Sequence, residues 1–105
     1  MMSSSVPRRA PKHVPVLIGA AMQRLGQRVI TARKLRQMTQ GELAHLSDVS
    51  LSTVRALEDG ADGVAMGNLL KVLQGLNLLE QIDELLAPAR DPEAVRFAVR
   101  TVVGR

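Results

Sequence analysis

The sequence predicts an all-α protein: a compact five-helix domain behind a disordered basic N-terminal arm, closed by a short C-terminal helix or strand. Three observations lead there. Val, Ile, Leu, Met and Ala supply nearly all of the 46% hydrophobic content of the 105 residues, and Phe97 is the single aromatic. That composition suits a helical core better than a β-sandwich. Apolar residues recur at spacings of three and four from Leu17 onward, the period of a helix face. Helix-start signals stand before several of these runs: Thr39-Gln40-Gly41-Glu42, Ser50 and Asp91-Pro92-Glu93.

Taken in order, residues 1–14 carry Ser3-Ser4-Ser5, Pro7, Pro11, Arg8, Arg9 and Lys12 without an apolar period and read as the arm. Pro15 suits a first helical position, and Leu17, Ala21, Leu25, Val29 and Ala32 follow on one face. Gly19 and Gly26 each cost that helix roughly 1 kcal/mol relative to Ala, which predicts a break into two pieces. Thr39 to Glu42 is a capping box, with the Thr39 hydroxyl and the Glu42 carboxylate exchanging bonds with each other's backbone N–H. It starts a second helix to about Leu46. Ser47-Asp48-Val49 is a turn, and Ser50 caps a third helix over 51–58 with Val54 and Leu57 inward. After the loop Asp59-Gly60-Ala61-Asp62-Gly63, the residues Met66, Leu69, Leu70, Val72, Leu73 and Leu76 form a fourth helix ended by Asn77. Leu79 to Leu86 gives a fifth, stopped by Pro88. Residues 89–105 form a C-terminal extension with two readings. Asp91-Pro92-Glu93 is a helix start, whereas Val95, Phe97, Val99 and Thr101 alternate at strand period.

Several functions are excluded or unsupported. There is no Cys, hence no disulfide framework and no Cys-containing zinc site. One aromatic cannot build the stacking platforms of RNA-recognition sheets or single-strand binders. His13 falls in the arm and His45 on the second helix, neither with the spaced partners of a metal site or a catalytic triad. Glu80, Asp83 and Glu84 have no second acidic cluster opposite, and Gly60, Gly63 and Gly67 do not follow a strand as a phosphate loop would. No enzyme activity, metal or cofactor is expected. The apolar run at Val16–Ile18 is far short of a membrane span. It follows basic residues as a signal peptide would, yet no small-x-small cleavage site comes after it, so a cytoplasmic protein is expected. Membrane-surface binding by the basic stretch from Pro15 to Arg36 lacks Trp and Phe anchors.

The net charge of +4 conceals an asymmetry. Residues 1–38 carry Arg8, Arg9, Lys12, Arg24, Arg28, Arg33, Lys34 and Arg36 and no acid, a net +8. Residues 39–89 sum to −6 and residues 90–105 to +2. A basic front beside an acidic second half suits an anionic partner on one surface; a solvated helix face with a free basic tail is the alternative.

Two helices of about eight residues joined by a turn of three or four, with Leu43, Ala44, Val49, Val54 and Leu57 apolar, follow the arithmetic of a helix-turn-helix over 39–60. In that motif one helix braces on the DNA backbone and the other enters the major groove. From Leu25 to Leu86 the chain resembles the lambda-repressor-like, Cro-type (Xre) family. The likeness rests on Thr39-Gln40-x-Glu42-Leu43-Ala44, Val49-Ser50-x-Ser52-Thr53-Val54 and Leu57-Glu58-x-Gly60. It implies a DNA-binding domain at 15–88. Gln40 would donate to a phosphate; Leu51, Ser52 and Arg55 would approach base edges; Thr53 and Asp59 would touch or flank phosphates. Arg33 and Glu58 would form an ion pair fixing the first helix to the third, with Met38, Leu43 and Val54 in the core.

The chain departs from the family's pattern at Asp48 and Gln37, where Gly, or Gly or Asn, is usual, and at Leu51, which replaces a polar base-facing residue and can make only apolar contact, for example with a thymine methyl. The resemblance implies a dimeric repressor, acting on its own gene among others, that reads a palindromic operator in double-stranded DNA through helix 51–58, and a place on the bacterial nucleoid. Leu78, Leu79, Ile82, Leu85 and Leu86, with the extension 89–105, would supply the dimer or partner contact. Gly63 to Leu73 is similar to the fourth helix of HipB-like antitoxins, which implies the other reading: an antitoxin that also binds a kinase-like toxin.

Overall fold

Helix α1 (His13–Leu35) opens the computed structural model, which describes residues 13–103. The arm residues Arg8, Arg9 and Lys12 lie outside the described residues. The helix begins at His13, so Pro15 is its third residue rather than its first. That position is still within the first turn, where no backbone N–H has an intrahelical partner to lose.

The predicted break in α1 does not occur: 23 residues run without interruption. Gly26 has another role. It is buried, and a Cβ built on it would stand 2.6 Å from the Glu58 carbonyl oxygen and 2.7 Å from that of Leu57. The missing side chain lets α1 lie directly on the end of α3 (Leu51–Glu58). Helix α1 is about 34 Å long and α3 about 12 Å, so α1 must overshoot the helix it packs on. Leu17 and Ala21, on the predicted apolar face, are exposed, as are Val16 and Ile18. The inward face begins at Leu25 and continues through Val29 and Ala32.

The core comprises Val29, Leu43, Ala44, Val54, Leu57, Val72 and Leu76, with Met38 and Val49 half-buried against it. It lies between α1, α2 (Gln40–Ser47), α3 and α4 (Met66–Gly75), where α2 packs on both α3 and α4. The capping box forms in full: Glu42 N–H donates to Thr39 Oγ1 at 3.0 Å and Thr39 N–H to Glu42 Oε1 at 2.7 Å. Gln37 at φ 57° and Asp48 at φ 56° turn the chain through left-handed backbone without glycine. Asp tolerates this region better than most residues do. Its N–H closes α2 by donating to the Ala44 and His45 carbonyls. Asn77, at φ 62°, turns the chain after α4 in the same way.

Beyond α4 the structure differs from the expected fifth helix. Leu79–Glu84 is a 3-10 segment with no buried residue. A stretch this short, with no face to bury, cannot recover the cost of starting an α-helix. After a further 3-10 turn at Pro88–Arg90 comes α5 (Pro92–Val103), which settles the choice between helix and strand. Asp91 caps it, accepting from Glu93 N–H at 2.9 Å through Oδ1, with Pro92 at the first position. Helix α5 packs on the Pro88–Arg90 turn, and none of its residues is buried.

One ion pair ties the first helix to the third. Arg33 Nε donates to Glu58 Oε2 at 2.6 Å and Arg33 Nη2 to Glu58 Oε1 at 3.0 Å. Arg33 Nη1 donates to the Met38 carbonyl at 2.9 Å. The Arg33 and Glu58 side chains are 11% and 2% exposed. Hydrogen bonding to Glu58 raises the Arg33 pKa above its ordinary value, although burial pulls the other way.

Two predictions follow from this packing. Gly26→Ala is expected to destabilise by about 1–3 kcal/mol despite the better helix propensity, because the new methyl meets backbone that cannot move aside. Gly19→Ala, in open space, is expected to stabilise by about 0.5–1 kcal/mol. Urea unfolding followed by circular dichroism measures both, and equal signs would refute the close-approach role of Gly26. Arg33→Met is expected to cost about 3 kcal/mol by leaving a buried carboxylate unpaired, and Arg33→Met with Glu58→Leu to recover much of it. A double variant as unstable as the single one would contradict this.

Candidate nucleic-acid interface

Ser50 starts α3. Its backbone is extended, and its Oγ accepts from Thr53 N–H at 3.1 Å. The same oxygen lies 2.9 Å from both Ser52 Oγ and Thr53 Oγ1, so three hydroxyls gather at the start of the helix. Val54, Leu57 and Glu58 turn inward. Leu51, Ser52, Arg55 and Asp59 share one outward strip, all exposed, with Leu51 only just so at 37%. Thr53 does not lie on it. It is half-buried on the flank, where with Ser52 it lines a shallow groove against Ala61, Gly63, Ala65 and Asn68.

Gln40 is the first residue of α2, next to the N-cap Thr39, and it is half-buried. Its Nε2 donates to Glu58 Oε1 at 2.8 Å. The predicted phosphate donor and the predicted ion pair are therefore one connected group. Arg36, whose Nη1 donates back to the Ala32 carbonyl at 2.9 Å, lines a groove that runs along α2 past Thr39, Gly41, Glu42 and His45. Of the basic residues in the front of the chain, Arg33 is directed inward, so the charge available to an external anion is smaller than the sequence count.

One feature of the flank has no positive motif in the sequence. Helix α4 starts after Ala65, which offers no side-chain cap, and its first residues border the groove that Ser52, Thr53 and Asn68 line. Unpaired N–H groups at such a helix start suit an anion. The legible signal was negative: an apolar helix preceded by Ala where Ser, Thr, Asp or Asn is usual.

The strip offers one guanidinium, one hydroxyl, one carboxylate and one apolar side chain on a narrow rod, a set that suits base edges in a major groove. Arg55 carries no side-chain hydrogen bond among the described residues. Among the described residues, no group of three or more His, Cys, Asp or Glu is arranged to hold a metal ion, and no helix is long and apolar enough to cross a membrane.

A family model described as helix-turn-helix matches residues 29–80, just under half of the chain. No curated protein and no solved structure matches the chain. The matched stretch begins in the buried half of α1 and ends just past α4, so it holds the whole core, the Arg33–Glu58 pair and the outward strip of α3. Residues 29–80 are similar to the helix-turn-helix family, and the match supports the Cro-type, lambda-repressor-like resemblance for this segment.

Proposed function

We propose that the protein is a transcription regulator that binds double-stranded DNA in a sequence-specific manner, with α3 in the major groove. The observation that carries this reading is the division of α3 into two sides. Val54, Leu57 and Glu58 are locked into the core, while Leu51, Ser52 and Arg55 stand exposed on the adjoining strip, with Leu51 at its edge. Arg55 donates to guanine O6 and N7, Leu51 meets a thymine methyl, and Ser52 adds a hydroxyl contact to a base edge. Gln40 at the start of α2 binds a phosphate. Thr53 and Asp59 flank the backbone. The action is repression, including that of its own gene.

The regulator works as a dimer. Helix α5 is amphipathic: Val95, Val99 and Val102 lie on one face and Arg96 and Arg100 on the other, and the valines stand exposed. Leu85 and Leu86 beside it are exposed as well. A twofold pair places the two α3 helices about 34 Å apart on a palindromic site. The antitoxin reading uses the same face for a kinase-like toxin, and a monomer that pairs with the product of an adjacent kinase-like gene would favour it.

Selection of bound fragments from random duplex DNA is expected to return a palindrome. A fourfold rise in salt is expected to weaken binding at least about a hundredfold. Arg55→Ala is expected to cost about 1–3 kcal/mol on the selected site and to relax preference at one position per half-site. Recovery of no enriched sequence, or salt-insensitive binding, would refute the reading. Sedimentation is expected to show a dimer that Val99→Glu with Val102→Glu converts to monomer; a wild-type monomer at micromolar concentration would refute dimerisation.

A further inference from the structure

The Gln40 side chain carries an amide whose two ends have opposite hydrogen-bonding character. A phosphate only accepts, so the nitrogen end must face it. An exposed glutamine samples both orientations, because its last torsion is broad and roughly two-fold, and it loses rotamer freedom when it is held. Here the choice is already made. Glu58, doubly hydrogen-bonded by Arg33, is an acceptor only, and Gln40 turns its nitrogen to it at 2.8 Å. That nitrogen has a second hydrogen. Arg33 also removes an obstacle: an unpaired carboxylate under a phosphate contact would repel the phosphate, whereas the bidentate pair is neutral overall.

We propose that Glu58, held by Arg33, is a positioning residue for DNA binding: it fixes the Gln40 amide so that one N–H stays on the protein and the other meets a backbone phosphate. This rests on the DNA-binding reading above and assigns to the ion pair a task beyond joining α1 to α3. The core of the domain thereby reaches the DNA through a single amide nitrogen.

The test uses the full chain and the duplex recovered by selection. In the DNA-free protein, nitrogen-edited NMR spectra are expected to show one Gln40 side-chain amide proton shifted from its ordinary position and slow to exchange, with both protons ordinary in Glu58→Gln. With DNA, Gln40→Met and Glu58→Gln are each expected to raise Kd about tenfold, and the double variant also about tenfold rather than a hundredfold. Affinities are referred to folded protein, with stability measured separately. If Glu58→Gln does not fold, Gln40→Asn serves instead: its amide is too short for both partners, and it is expected to lose as much affinity as Gln40→Met.

Additive costs, unchanged affinity in Glu58→Gln or Gln40→Asn, or two ordinary, fast-exchanging amide protons in the wild type would each overturn the proposal. A wild type that binds no duplex overturns its phosphate step together with the DNA reading. The amide signature in the free protein then distinguishes that failure from loss of the Gln40–Glu58 contact.

Discussion

Glu58 is the point on which the arrangement of the helices depends. Its carboxylate is nearly inaccessible to solvent and accepts three hydrogen bonds, two from Arg33 on α1 and one from Gln40 at the head of α2, while its own backbone ends α3. A buried carboxylate is tolerated only when its oxygens are satisfied and its charge is matched. This requirement sets the rotation of α1 about its axis. Arg33 must face α3, and Gly26, seven residues earlier on the same face, then falls against the α3 terminus, where only a hydrogen in place of a side chain fits. The apolar core is small, with seven buried side chains among the described residues, and such a core specifies helix orientation weakly by itself. The polar junction supplies the missing specificity.

The local features were legible in the sequence because local chemistry determines them. The Thr39–Glu42 capping box, the Ser50 cap and the Asp91-Pro92 start need no knowledge of tertiary neighbours, and all three form. The features that were not legible depend on residues distant in the chain. Gly26 reads as a helix breaker until Leu57 and Glu58 are placed beside it, and Gln40 reads as a free amide until Glu58 is seen eighteen positions away. Leu17 shares the apolar face of α1 and is nevertheless exposed, because periodicity marks a face without saying how far the neighbour extends. The 3-10 form of Leu79–Glu84 follows from lack of burial, which leucine content alone does not reveal. On α3 the period did separate inward from outward residues, and Thr53, between the two sides, is half-buried against the loop after α3.

Charge counting needed the same correction. The +8 of the first 38 residues includes Arg33, which compensates Glu58 and is not available outside. The outward strip of α3 holds Arg55 and Asp59, so it is close to neutral. A near-neutral strip gains little from the general attraction of a polyanion, and that attraction carries no sequence information. Under the proposed function the two tasks are separated: exposed basic side chains elsewhere supply the attraction, and the strip supplies the discrimination.

Asp59 adds a constraint on that discrimination. It follows the last residue of α3, on the same strip as Arg55 and one turn further on, where a carboxylate close to a phosphate would be repelled. A docking pose that laid the whole of α3 along the groove floor would bring this end towards a backbone strand. A pose that enters with the N-terminal turn leaves Asp59 flanking the backbone rather than pressed on it and leads with Leu51, Ser52 and Arg55. Under the proposed function the Gln40 amide favours the same pose, since it would anchor the α2 start on a phosphate, and its link to Glu58 ties that anchor to the junction. In a DNA complex of this kind, attraction at one end of the motif and repulsion at the other would tilt α3 in the same direction, so the entry angle would be set by residues that read no base.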